Sequence, residues 1–234
     1  MLKVSSLFIL LCGLLASSSA QEDLSRISSQ ITNALTQGLL GMNVLSTLQT
    51  IDFQGSLKNV FSLARSHQSI LGGLLTNRDT NLIVQMKDLR LLQVSLENSP
   101  NFKEVDLRIP LAFSIQIKFP ALNPCIFHVW TDMKVQLYLE KDVDSRYQLA
   151  FGHCRIAVDT VWIQSENFVT PMKKNIVENI ERILGDLIIH NLGAKMCPFI
   201  NSCLYDLNPQ VTKELISLLL QQGKYHATIQ ISPK

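Results

Sequence analysis

The chain has 234 residues, with 21 basic against 19 acidic, and only 17% of its residues are charged while 47% are hydrophobic. A charge fraction below the ~25% usual for soluble domains, without any basic run, excludes nucleic acid as the main partner and gives no electrostatic case for acidic membranes. The apolar excess is leucine and isoleucine more than aromatic, so the chain carries either a large core or apolar surface held under a loose cover.

Residues 1–20, MLKVSSLFILLCGLLASSSA, place Lys3 before an apolar run from Leu7 to Leu15 and the small residues Ser18 and Ala20 before Gln21. That is the pattern of a cleaved secretory signal, and it predicts a secreted protein. The run is shorter than the ~20 residues that span a bilayer, no later stretch qualifies, and a transmembrane anchor is not expected. Residues 21–234 then form a single domain.

From Ser29 to Ile51 the apolar residues Ile31, Leu35, Leu39, Leu48 and Ile51 fall at helical spacing, which predicts one or two helices broken around Gly38 and Gly41. No charge lies between Arg26 and Asp52, so this is a weakly polar cover. Residues 54–77 predict a short helix, then a leucine loop hinged on Gly72-Gly73 that carries Leu71, Leu74 and Leu75. Residues 81–97 predict a strand with a break at Asp88 to Arg90, before the dense turn signal Asn98-Ser99-Pro100-Asn101.

The next stretch organises the rest. From Val105 to Phe119 every odd position is apolar and nearly every even one polar, which describes one long strand with an oily face. Pro110 cannot donate to a ladder, so a bulge or an edge is expected partway along. Phe127 to Leu139 repeats the odd-position pattern, a third turn falls at Asp142 to Ser145, and a fourth strand runs from Tyr147 toward Trp162 with a change of parity near Gly152. Four strands joined by short turns predict an antiparallel meander, greasy on one side.

Thr170-Pro171 matches a helix start, with apolar residues at helical spacing as far as about Asn191 and a break at Gly193. Asn208-Pro209 repeats the signal for a second helix ending at Gly223, and Tyr225 to Ile231 alternates as a closing strand. The fold class is therefore α+β: a long coiled antiparallel meander wrapped around amphipathic helices.

After the signal four cysteines remain, Cys125, Cys154, Cys197 and Cys203, and they allow three pairings in an oxidising compartment. Their spacing suits no zinc site, and no cofactor is expected. Asn201-Ser202-Cys203 is at most a rare glycosylation acceptor. No nucleophile elbow, phosphate-binding glycine loop or zinc-protease helix occurs, and His153 beside Cys154 would face away from it on a strand, so no enzyme is expected.

Several stretches carry a resemblance: SSQITNALTQGLL (Ser28 to Leu40), RLLQVSLENSP (Arg90 to Pro100), TDMKVQL (Thr131 to Leu137), YQLAFGHC (Tyr147 to Cys154) and LGAKMCPFINS (Leu192 to Ser202), together with the signal itself. The chain resembles the bactericidal/permeability-increasing family of lipid-binding secretory proteins, in its short palate-lung-nasal branch. This resemblance implies a single half of that family's roll and one disulfide, carried here by Cys154 and Cys197. It also implies secretion into saliva or sweat, a place among allergens and innate-immunity proteins, and either of two functions. One is a surfactant that exposes leucine-rich helices at air-water or lipid interfaces; the other is a lipid or lipopolysaccharide carrier serving mucosal defence. The residues expected to meet the interface or lipid are Leu35, Leu39, Leu40, Leu45, Leu48, Leu71, Leu74 and Leu75. Cys125 and Cys203 depart from the family pattern: they pair with each other, or one links two chains, and otherwise a monomer is expected. Segment 63–68, LARSHQ, is more polar than the leucine loop the resemblance implies and lowers the surface activity to be expected.

Overall fold

The computed structural model describes residues 2–42, 44–58, 82–98, 104–118, 124–166 and 174–221, and for residues 2–21, 45 and 174–176 the backbone alone. In chain order these form helices α1 (Leu2–Gly41), α2 (Val44–Leu48) and α3 (53–58), then strands β1 (Ile83–Leu91), β2 (Ser95–Asn98), β3 (Val105–Lys118), β4 (Cys125–Lys141), β5 (Tyr147–Ile156) and β6 (Trp162–Ser165). Helix α4 (Lys174–Leu187), a π-helical turn (Ile188–Leu192), α5 (Gly193–Tyr205) and α6 (Pro209–Gln221) follow.

The strands make one antiparallel sheet in the order β1-β3-β4-β5, with β2 also pairing β3 and β6 also pairing β4. Alternation decides its two faces. Along β3 the odd residues from Val105 to Ile117 are buried, and the partners they meet on β4, from Leu137 back to Cys125, share that face. Opposite them lie Ser114, Gln116, Lys134 and Gln136.

Pro110 stays in register opposite Asp132 on β4, so β3 carries no bulge there. Its carbonyl accepts from the Leu92 amide, and the side that lacks a donor faces the gap between β1 and β2. The proline thus sits at a local edge, and the break expected at Asp88 to Arg90 falls instead at residues 92–94. Asp88 holds a bulge within β1, at φ 56°. The bulge foreseen near Gly152 is present: Val135 pairs Cys154 while Leu137 pairs Phe151.

Two glycines behave differently from their sequence signal. Helix α1 runs unbroken through Gly38 and ends at Gly41, because Gly38 serves a close approach: a Cβ there would overlap Cys203 Sγ on α5. Gly193 does not end its helix either; α4, the π-turn and α5 run continuously from Lys174 to Tyr205. Val177–Tyr205 is consequently long and apolar enough by length and composition to cross a membrane, which corrects the expectation that no stretch after residue 20 qualifies. Its buried residues Ile180, Leu184, Ile188, Met196 and Ile200 belong to the protein core. Pro198 lies inside α5, where its missing donor leaves one helical hydrogen bond unmade. Asn208 caps α6 by accepting from the Gln210 amide at 2.8 Å.

All helices that carry described side chains pack on the oily sheet face, in one contiguous core that includes Ile31, Leu35, Leu107, Phe127, Leu192 and Leu215. The helix start at Thr170-Pro171, the loop leucines Leu71, Leu74 and Leu75, the polar segment 63–68 and the closing strand lie outside the described residues.

Candidate functional site

The oily face and its helical covers are the first part of the site. Leu35 and Leu48 are fully buried and Leu39 nearly so, whereas Leu40 is 78% exposed beside the end of α1. Of the leucines expected to meet an interface, those with described side chains therefore divide: Leu40 alone is presented, and Leu35, Leu39 and Leu48 are spent on the core. The side chain of Leu45 is outside the description, as are the loop leucines. Helical periodicity explains the division, since residues 35 and 39 share a stripe that residue 40 leaves.

Covalent and polar ties hold the covers unequally. Cys154 on β5 is bonded to Cys197 on α5, with 5.8 Å between their Cα atoms. Among the described side chains helix α1 has no such bond. Arg26 Nη1 reaches Glu214 of α6 at 3.0 Å, and Thr32 Oγ1 accepts from the Val94 amide at 3.0 Å. Around Arg26 and Glu214 a cleft of about 220 Å³ lies between α1 and α6, lined also by Asp23, Ile27, Gln210, Lys213 and Leu218. Hydrogen bonds from Gln210 and Arg26 hold the Glu214 carboxyl below the usual carboxylate range.

Cys125 and Cys203 are both free and buried, and burial pushes both thiols up. They are therefore not paired with each other. A link between chains through either would require the fold to open first, because neither sulfur is presented at the surface. Asn201, within α5, turns its Oδ1 inward without a hydrogen-bond partner among the described residues.

The outer sheet face is polar and divides into two halves. Near β2 and β5, Arg108 Nε donates to Asp132 at 2.6 Å and its Nη1 to Glu97 at 3.1 Å, while Lys134 also reaches Glu97. The Asp132 bond first, and Glu97 further, raises the Arg108 guanidinium above its ordinary value. These are paired charges that rivet neighbouring strands. Near β1 and β6 the face is different. Trp130 and Trp162 stand in register with ring centroids 5.0 Å apart, and Trp162 is 60% exposed. Trp130 occupies an even position of β4 among polar residues, so an aromatic side chain on the wrong parity was the signal available for this feature.

Beside them Ser114 Oγ lies 3.2 Å from His128 Nδ1, and His128 Nε2 is 3.9 Å from Glu166. The order imitates a hydrolase relay, but the carboxylate is beyond hydrogen-bond reach. The two residues face each other across paired strands, whose amides serve the ladder and leave no pair of donors for an oxyanion. Among the described residues no cluster of three or more histidine, cysteine or acidic side chains could hold a metal.

Residues 23–207 match the sequence profile of the LBP / BPI / CETP family, N-terminal domain. The chain belongs to this family. Within the LBP / BPI / CETP family it is 43% identical to latherin of Equus caballus over 230 residues, covering 98% of this chain and 100% of that protein. It is 26% identical to BPI fold-containing family A member 1 of Rattus norvegicus, across 80% of this chain and 71% of the relative. The solution structure of latherin superposes with a TM-score of 0.69 at 40% identity, over 87% of this chain and 96% of the other. The antiparallel sheet with its helical covers is thus the family's arrangement, and the α+β fold expected from patterning is the one present.

Proposed function

We propose that this is a secreted, non-enzymatic protein that acts at air-water and lipid interfaces by parting its helical covers from the sheet. The observation that carries the reading is the unequal fastening of those covers over one continuous apolar face. Helix α5 is bonded to β5 through Cys154 and Cys197, while α1 is held to other elements by side-chain packing, one ion pair and one side-chain hydrogen bond among the described residues. Apolar area moved from water to air or oil gains roughly 25 cal/mol per Å2, so a core that opens onto an interface recovers there what it loses by unpacking. Leu40 and the leucines of residues 71–75 make the first contact, and the disulfide keeps the sheet and one helix together. Kinship with latherin at 43% identity supports the reading, and the leader-like residues 1–20 support secretion.

Surface tension against concentration tests this on the disulfide-intact chain. A fall at micromolar protein supports it, and an unchanged tension removes it. The membership in the LBP / BPI / CETP family gives a second reading, in which the apolar face stays closed and carries lipid or lipopolysaccharide. Organic extraction followed by mass spectrometry separates the two, because a carrier yields stoichiometric lipid while a surfactant need not.

A further inference from the structure

The half of the outer sheet face near β6 carries two adjacent rows that neither the core nor the interfacial reading uses. Arg90, Ala112, Trp130 and Trp162 stand in one row across four strands. Lys87, Ser114, His128 and Gln164 make the next. Three strand spacings give each row a length of about 14 Å.

The cations are placed there by a local irregularity. Lys87 and Arg90 are three residues apart, and on a regular strand they would face opposite sides. The bulge between them, with Asp88 in the left-handed region at φ 56°, brings both opposite outward-facing partners, Ser114 and Ala112. A non-glycine residue at positive φ costs free energy, and bulges of this kind re-aim side chains. Among the described residues neither Lys87 nor Arg90 enters an ion pair, in contrast to Arg108 and Lys134 on the other half of the same face.

We propose that these rows are a binding shelf for a carboxylate-bearing oligosaccharide. A sugar ring has an apolar C–H face and an equatorial rim of hydroxyls. The first packs on the exposed indole of Trp162 with Trp130 as its support; the second meets the hydrogen-bonding groups of Ser114, His128 and Gln164 in the neighbouring row. Arg90, at the far end of the aromatic row, supplies a planar fork that matches a carboxylate, and Lys87 adds a second positive charge. The row length suits a short chain of sugars and not a single ring. A lipid surface fits less well: interfacial anchors sink an apolar face ~5–10 Å into the headgroup boundary, and this shelf lies along a sheet face with a polar row beside it.

Both tryptophans of the protein lie in the shelf, so intrinsic emission reports on it alone. The test titrates the disulfide-intact chain with sialyllactose, with lactose, and with phosphatidylcholine vesicles containing phosphatidylglycerol. Sialyllactose is expected to give a saturable change in emission, with lactose about tenfold weaker. Trp162→Ala, read through Trp130, is expected to weaken sialyllactose about tenfold or more, and Arg90→Ala to reduce it to the lactose level. Both substitutions are at the surface, and unchanged circular dichroism verifies the fold. No saturable response at millimolar sialyllactose, equal affinity for lactose, undiminished binding by Arg90→Ala, or a response to vesicles alone each overturns the proposal. Surface tension is expected to be unchanged in Arg90→Ala, which keeps this shelf separable from the interfacial function.

Discussion

The sheet is one surface with two covers, and the covers are fastened by different physics. The long C-terminal helix is tied to β5 by a covalent bond, so its separation from the sheet is limited whatever the solvent does. Helix α1 buries a stripe through Ile27, Ile31, Leu35 and Leu39, and that stripe is stable only while water is the alternative. Remove water from one side, as an interface does, and the second fastening weakens while the first does not. A chain can thus be stable in solution and prepared to open in one defined place.

The largest test of this contrast removes the covalent tie. The Cys154→Ala/Cys197→Ala double variant is expected to lose on the order of 4 kcal/mol in chemical denaturation, given the 43-residue separation of the two cysteines. If unfolding is unaffected, the two covers are not differently fastened after all. Next, Leu35→Ala cuts the apolar stripe of α1 at a fully buried position and is expected to cost about 2–5 kcal/mol. The same variant should adsorb faster at an air-water surface, since its cover is looser; slower adsorption would show that α1 does not gate exposure.

A smaller effect lies where the two covers touch. Gly38→Ala forces a methyl into Cys203 Sγ and is expected to cost about 1–3 kcal/mol, with a large part recovered in the Gly38→Ala/Cys203→Ala pair. Additive losses in that cycle would place the contact elsewhere. The smallest effect belongs to the ion pair. Because the folded Glu214 carboxyl sits below its ordinary value, its contribution is fully present above about pH 4.3 and is lost as pH falls through the lowered value. The Glu214→Gln variant should therefore match the parent at the bottom of that window and fall slightly behind it at neutral pH. Added salt should shrink the difference, as for any exposed pair. Equal behaviour at all pH values would leave packing as the whole attachment of α1.

The sheet was legible because its signal is local. Alternation along β3 and β4, the proline at the β1–β2 gap and the parity change near Gly152 each follow from side-chain direction along an extended chain. So was the cap of α6 at Asn208, a bond between residues two apart. The glycines were not. Gly38 and Gly193 carry the same local signal as a helix end, and what distinguishes them is a neighbour distant in sequence: Cys203 against the first, Ile156 beside the second. Leu35, Leu39 and Leu48 pack on the core as part of a cover, yet which leucines face outward depended on helix phase, and Leu40 alone of the described candidates emerged exposed.

By itself, then, the sequence determined an antiparallel meander with one oily face, helices to cover it and membership in a family visible along most of the chain, because periodicity and kinship are written residue by residue. Tertiary structure decided the rest. It left Cys125 and Cys203 free and buried, carried the first expected C-terminal helix past Gly193 to Tyr205, and brought Lys87 and Arg90 to one side through the bulge at Asp88, beside two tryptophans from other strands. Each of those outcomes depends on what packs or pairs in three dimensions, and no one-dimensional spacing encodes partners such as Ser114 for Lys87 or Trp162 for Trp130.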